Sequence, residues 1–222
     1  MLRQAQRKPV GEVVESAVPP SPSSTPQLFS TPMCNLYRLD TSAATIAQIF
    51  DASQGVDPWD GGYVAPGKFA PVITGDIRAR MMPARWGFAP PPNATGNRLV
   101  TNVRNLESPF WIGTLKHPEL RCLIPVTRFQ EWSGEVGAKR QHWFDVPSQP
   151  VFAFAGIWRD DGEMRSFAML TTEPNSLIEA IHPNAMPLIL HPEDHAVWLS
   201  ADWKQAQRLV EPYPSQLMGE VV

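Results

Sequence analysis

The chain has little cysteine and no long apolar run, and each shortage narrows what it can be. Only Cys34 and Cys122 occur in 222 residues, far apart and outside any CxxC pair or Cys/His cluster. Neither a disulfide framework nor a zinc site is therefore expected. No apolar stretch approaches the ~20 residues that span a bilayer, and the N-terminus lacks the apolar core of a secretory signal. A reduced, cytoplasmic protein with no membrane partner is the expectation. Excess charge is also missing: the net charge of −3 argues against gripping nucleic acid by bulk electrostatics, which leaves only a local basic surface. There is no internal repeat, exposed heptad or apolar helix to suggest assembly, so a monomer is expected.

What is present points to one core and a tail. Apolar side chains make up 43% of the chain, enough for one sizeable core and too few for two full domains at this length. Residues 1–32 differ in kind, because "AVPPSPSSTPQLFSTP" is rich in proline and serine with almost nothing to bury. They are expected to form a disordered extension, followed by a single domain over 33–222. Within that domain "SAATIAQIF" has helical spacing behind a serine cap and predicts a helix over 42–52. "FAPVITG", "RARMMPARWGF", "RCLIPVTRFQEW", "HWFDVP", "VFAFAGIWR" and "SFAMLTTEP" are β-branched or aromatic runs broken by Pro, Gly or Asp, and predict strands. "NSLIEAI", "HPEDHAVWLS" and "ADWKQAQRLV" predict short late helices. The fold class is α+β, with a mainly antiparallel, barrel-like twisted sheet and a few flanking helices. Twenty-four prolines suggest a loop-rich surface.

Chemistry begins at "MCNLY". Were Met33 the start, its removal would leave Cys34 at the N-terminus, with an α-amine of pKa about 7.7–8.0 beside a thiol of about 8.5. Amine plus β-thiol is the pair that captures an aldehyde: the amine forms an imine and sulfur closes a thiazolidine ring. A small buried cysteine at a strand end is the plain alternative. Three polar groups stand where a β-core should be apolar. "TNVRN" puts Asn102 and Arg104 on one face of an extended segment. "RFQEW" ends an apolar run with Glu131, where burial beside Trp132 would raise a carboxyl toward neutrality. "AIHPNAMPLIL" sets His182 at a proline-punctuated turn. Each has a bland account as a turn residue, an edge charge or a helix-end histidine. Cys122, inside "RCLIPV", reads as a buried core residue. His117, His142, His191 and His195 have no partner at ligand spacing and read as structural or surface residues. Between Ile77 and Leu106 there is no acidic side chain but five arginines, Arg78, Arg80, Arg85, Arg98 and Arg104, interleaved with Trp86, Phe88 and Pro90 to Pro92. Cations among flat side chains suit single-stranded DNA, where stacking contributes about 1–3 kcal/mol per base.

The order of motifs, Met33-Cys34, the "AP" turn (Ala65, Pro66), "RWGF", "NVRN", "RCLIPVTRFQEW", "FAFAGIW" and "HPNAMPLIL", resembles the SOS-response-associated peptidase (SRAP) family. Animal 5-hydroxymethylcytosine-binding embryonic stem-cell-specific proteins belong to that family, and this chain resembles a divergent bacterial branch. The resemblance covers residues 33 to about 215. It implies a protein that traps abasic sites in single-stranded DNA as a thiazolidine crosslink, acts in the DNA-damage response, needs no cofactor or metal, and associates with the nucleoid when bound. By motif it implies Cys34 as nucleophile, Asn102 as holder of its amine or of the opened sugar, Glu131 as the acid/base that opens the sugar, and His182 as proton shuttle. Arg104, Trp86, Trp132, Arg85 and Pro66 are the implied DNA-binding residues. Minor strand cleavage by β-elimination would accompany the imine.

Asn35 and Leu36 stand where the family commonly has Gly-Arg, and His182 to Pro187 replace a His-x-Arg-Met-Pro pattern with one residue more and no arginine. DNA affinity or lesion preference is thus expected to differ. Because Cys34 must be terminal for this chemistry, the extension is expected to reflect an over-long start. Self-cleavage before Cys34, using the same residues as an autopeptidase, is the alternative. A noncatalytic reader of modified or single-stranded DNA, and a papain-like protease using Cys34 or Cys122, are further readings from other classes.

Overall fold

Short β-branched and aromatic runs, each too short to bury a face alone, pair into two sheets in the computed structural model. It describes residues 34–55, 58–75, 78–92, 94, 96–135 and 137–221. All belong to one compact unit. The expected disordered extension, residues 1–32, lies outside the described residues, as does Met33.

The strands are β1 (Tyr37–Leu39), β2 (Gly62–Val64), β3 (Phe69–Thr74), β4 (Arg80–Trp86), β5 (Asn102–Val103), β6 (Arg121–Val126), β7 (Arg128–Ser133), β8 (Arg140–Asp145), β9 (Phe152–Asp160), β10 (Arg165–Thr172), β11 (Met186–Pro187), β12 (Ile189–Leu190) and β13 (Gly219–Val221). The helices are α1 (Ala43–Ile49), α2 (Ile112–Lys116), α3 (Ser176–Glu179), α4 (His195–Ser200) and α5 (Trp203–Ala206). Five strands close a ring in the order β4-β3-β6-β9-β10, with antiparallel neighbours until β10 returns parallel to β4. β5, β11 and β12 add short pairings to the β10 and β9 edges. The second sheet, β13-β8-β7-β1-β2, is antiparallel throughout. The α+β, barrel-like, mainly antiparallel architecture is the expected one.

Local chemistry explains the boundaries. Ser42 caps α1, its hydroxyl accepting from the Thr45 amide at 3.2 Å, as the sequence predicts. The run "RCLIPVTRFQEW" differs from expectation: it is two strands in two sheets. Thr127 breaks it, because its amide and hydroxyl both donate to the Arg38 carbonyl, at 2.8 and 3.0 Å, while the hydroxyl accepts from the Asp40 amide. The chain thus leaves the barrel at β6 and enters the second sheet at β7. Prolines are also less confined to loops than expected. Pro71 and Pro83 face each other in the β3–β4 ladder, and Pro125 lies in β6.

The core is continuous between the sheets. Tyr37 of β1 packs its ring 5.3 Å from Trp86 of the barrel, and Phe129 of β7 lies 5.5 Å from Phe154 of β9. Polar residues on the inward face of β7 are therefore sealed against an aromatic interior.

Candidate functional site

Cys34 enters just ahead of β1 and is 2% exposed. Its thiol donates weakly to the Leu36 carbonyl at 3.7 Å. Burial pushes that thiol well above its ordinary value and the neighbouring Glu131 charge adds to the rise, while backbone hydrogen bonds at Leu36 and Gln130 oppose it. The Cys34 backbone N–H donates to the Glu131 carboxyl. Glu131, at the middle of β7, is 1% exposed. Burial raises its pKa to about 8, with the hydrogen bond from Cys34 pulling the other way. Alternation along β7 turns Trp132 to the opposite face. The sealed interior, rather than the adjacent indole, is what desolvates the carboxyl.

His182 follows α3 and is buried. Its Nδ1 lies 2.8 Å from the Ala185 carbonyl and 3.9 Å from Glu131 Oε2. A carbonyl can only accept, so in the neutral tautomer Nδ1 carries the proton and Nε2 holds the lone pair as the basic end of the ring. Asn102 sits on β5 beside Met169 of β10 and donates from Nδ2 to Thr101 Oγ1 at 2.9 Å.

Glu131 Oε1, His182 Nε2 and Asn102 Oδ1 are three of the eleven buried side-chain atoms that have no hydrogen-bond partner among the described residues. Each such atom costs about 1–3 kcal/mol in a folded protein, so unpaired groups of this kind call for a function. The structure thus joins Cys34, Glu131 and His182 in one contact chain. It places Asn102 on a neighbouring barrel edge with its acceptor unspent.

The proposed DNA-binding residues are dispersed. Arg104, half-exposed, donates to the Thr172 carbonyl at 2.6 Å and to Glu173 Oε1 at 2.5 Å, so a phosphate must compete with that acid. Pro66 is exposed at the β2–β3 turn, and Trp132 is half-buried. Arg85 is half-buried, opposite Phe69 and Ser166 in the ladders. Trp86 differs from expectation. It is fully buried, stacked on Phe167 with centroids 6.4 Å apart, and its indole N–H donates to the Thr101 carbonyl. It offers no face to a base, because the barrel core claims the ring first. Arg78 and Arg98 are the exposed cations of the arginine-rich segment together with Arg80.

Residues that sequence reasoning missed lie around the thiol. Tyr37 is fully buried near both cysteines, its hydroxyl unpartnered and its pKa pushed well up by burial. Gln130 is 1% exposed with both amide atoms unpartnered. Neither carried a signal beyond lying next to a flagged residue. His142, read from the sequence as a structural or surface residue, bonds Ser133 and Glu220. Among the described residues, no group of three or more His, Cys, Asp or Glu could hold a metal ion. No described helix is long and apolar enough to cross a membrane.

The family model described as "SOS response associated peptidase (SRAP)" matches residues 33–221. The chain belongs to the SRAP family. Family membership carries a DNA-damage-related function and an interaction with DNA. The SRAP chain is also similar to solved bacterial structures. A Bacteroides thetaiotaomicron protein superimposes with a TM-score of 0.71 at 23% identity, over 84% of this chain and 90% of that one. A Bordetella bronchiseptica protein gives 0.70 at 20% identity, over 85% and 100%. A phage-related protein of the same organism gives 0.66 at 17%, over 85% and 93%. At these identities the likeness is one of fold. No curated protein matches the chain.

Proposed function

We propose that this SRAP protein captures abasic sites in single-stranded DNA through Cys34, in a form that begins at that residue. The observation that carries the proposal is the Glu131 carboxyl, sealed from water, held on the Cys34 backbone nitrogen and raised to about 8. At neutral pH such a carboxyl is an acid. It can protonate the ring oxygen of the closed sugar, and the aldehyde that opens meets the Cys34 amine at the same spot. The amine adds to give a carbinolamine. Loss of water then yields an imine, with His182 Nε2 moving the protons. The thiol adds across the C=N bond, its proton passing to the amine nitrogen, and closes a five-membered thiazolidine. The balance is oligonucleotide plus protein minus one water. A thiol pushed up by burial adds only when something takes its proton, which gives Glu131 and His182 a second task. Asn102 Oδ1, buried and unpaired, suits an ammonium or a sugar hydroxyl, and Arg104 suits the backbone phosphate once released from Glu173. Pro66 and Trp132 would line the strand's path.

Intact-mass spectrometry before and after incubation with an abasic single-stranded oligonucleotide tests this. The expected result is a species beginning at Cys34 that gains the oligonucleotide minus one water and survives heat without borohydride. A Cys34-initiated protein that gains nothing sinks the proposal.

A second reading is supported by the same contact. A carboxyl on the Cys34 backbone nitrogen is also placed to protonate the amide leaving group when the thiol attacks the preceding carbonyl. Water would then hydrolyse the resulting thioester, releasing the extension as a carboxylic acid and leaving Cys34 with a free thiol and α-amine, as an autopeptidase.

A further inference from the structure

Glu131 shares its sheet with a second polar chain that thiazolidine chemistry does not use. Ser133 ends β7, His142 lies in β8 and Glu220 in β13, so three adjacent strands each supply one member. Ser133 Oγ is 2.7 Å from His142 Nε2, and His142 Nδ1 is 2.7 Å from Glu220 Oε1. A carboxylate only accepts. In the neutral imidazole Nδ1 therefore donates to Glu220, and Nε2 offers its lone pair to the serine hydroxyl. The order hydroxyl, imidazole, carboxylate is that of a base-activated nucleophile whose base is oriented by a third group.

The strand registers explain how the three meet. Ser133 pairs with Arg140 and Glu131 with His142, so the serine reaches the imidazole diagonally along one face. Glu220 pairs with Phe144 and reaches His142 by the same diagonal. The imidazole is 8% exposed while the Glu220 side chain is 38% exposed and Ser133 is half-buried. The base is shielded and its two ends are reachable. Gly134 follows the serine with φ of 85°, in a turn so tight that an added Cβ would meet the Ala138 carbonyl at 2.6 Å. The backbone thus reverses directly behind the hydroxyl. The residues that follow the serine, 134, 135 and 137–140, are all exposed, so the nucleophile meets its substrate at an open surface, which favours a small, activated acyl group over a long peptide.

We propose that Ser133, His142 and Glu220 form a second nucleophilic centre, separate from Cys34, that hydrolyses small activated carboxylic esters. His142 Nε2 takes the Ser133 proton as Oγ bonds to the carbonyl carbon. The oxyanion collapses, the ester C–O bond breaks, and the alcohol leaves with the proton from His142. Water then attacks the acyl-serine by the same relay, releasing the acid and restoring the hydroxyl. No oxidant, reductant or cofactor enters the balance.

The test uses the full chain carrying Cys34→Ala, so that the thiol cannot react, with p-nitrophenyl acetate as substrate and a fluorophosphonate as covalent probe. The expected result is turnover above the buffer blank and a probe adduct on the peptide containing Ser133. Ser133→Ala removes the adduct and lowers turnover by about 100-fold or more, and Glu220→Gln lowers it by about 10-fold. Ser133→Cys moves covalent labelling to iodoacetamide. Turnover equal to the blank, an adduct on another residue, or an undiminished rate in Ser133→Ala overturns the proposal. Should Ser133→Ala fail to fold, Glu220→Gln decides instead, because an unchanged rate there also overturns it.

Discussion

Cys34 and Cys122 are buried to the same degree, 2% and 0% exposed, yet they occupy opposite kinds of interior. Cys122 lies in β6 across from Gly156, where an added Cβ would meet its sulfur at 2.9 Å, and burial alone pushes its thiol far up. Cys34 is pushed up too, but by burial together with a carboxyl that itself titrates near neutrality and stands beside a histidine. Burial makes both thiols poor nucleophiles when left alone. Only Cys34 has neighbours that can carry its proton away. Reactivity here belongs to the company a cysteine keeps rather than to its exposure.

The sharpest way to break that comparison is to exchange the two residues' fates. Cys34→Ala is expected to abolish the abasic-site adduct in the intact-mass assay. Cys122→Ala should keep the adduct and cost about 1 kcal/mol in denaturant unfolding, the usual scale for a core truncation. An adduct that depends on Cys122 instead would invert the argument.

Next in size is the acid. Glu131→Gln keeps the shape of the site but cannot donate a proton, so adduct formation is expected to slow by about 10²–10⁴, the range of general acid–base catalysis. Single-turnover gel kinetics reads this, and a wild-type rate would remove Glu131 from the mechanism. In the unaltered protein the rate should fall as pH rises through about 8, where the carboxyl loses its acid form.

Stability gives a smaller and independent readout. A carboxyl whose folded pKa is raised binds its proton more tightly folded than unfolded, so stability falls as pH rises from the unfolded value, near 4.5, to about 8. Thermal melts from pH 5 to 8 should show that decline, and Glu131→Gln should flatten it. Parallel slopes in the two proteins would contradict the burial of this charge.

The smallest effect concerns the DNA contact. Glu173 is 74% exposed and holds Arg104 on the surface, a pair of the kind that contributes about 0–1 kcal/mol. Glu173→Gln should tighten binding of single-stranded DNA by no more than about 5-fold in fluorescence anisotropy. Arg104→Ala should weaken binding and reduce the salt slope by about one. An affinity indifferent to both changes would place the phosphate path elsewhere, with Arg98 and Arg78 the exposed alternatives.

Much of the fold was legible because the cues were local. Serine ahead of "AATIAQI" gave the α1 cap, and each β-branched run between Pro, Gly or Asp became a strand. The split of residues 121–133 was not legible, since it depends on Thr127 meeting Arg38, 89 residues away. Of the chemical candidates, Asn102, Glu131 and His182 stood out as polar residues in apolar surroundings, a local signal, while Cys34 was marked by the Met33 before it and by the order of family motifs. Trp86 misled for the complementary reason: an aromatic among arginines looks the same whether its ring meets a base or Phe167. Tyr37, Gln130 and the Ser133–His142–Glu220 chain gave no sign, because their meaning lies in partners on other strands.

The sequence by itself determined which residues could react and which segments would be strands, because side-chain chemistry, chain stiffness and alternation act over a few residues. Tertiary structure alone decided which of two identical thiols stands beside an acid, which indole is spent on the core, and which hydroxyl meets an imidazole. Those outcomes follow from closing β10 onto β4 and laying the second sheet over the ring. Desolvation and hydrogen bonding depend on every neighbour in space, and only the closed fold names those neighbours.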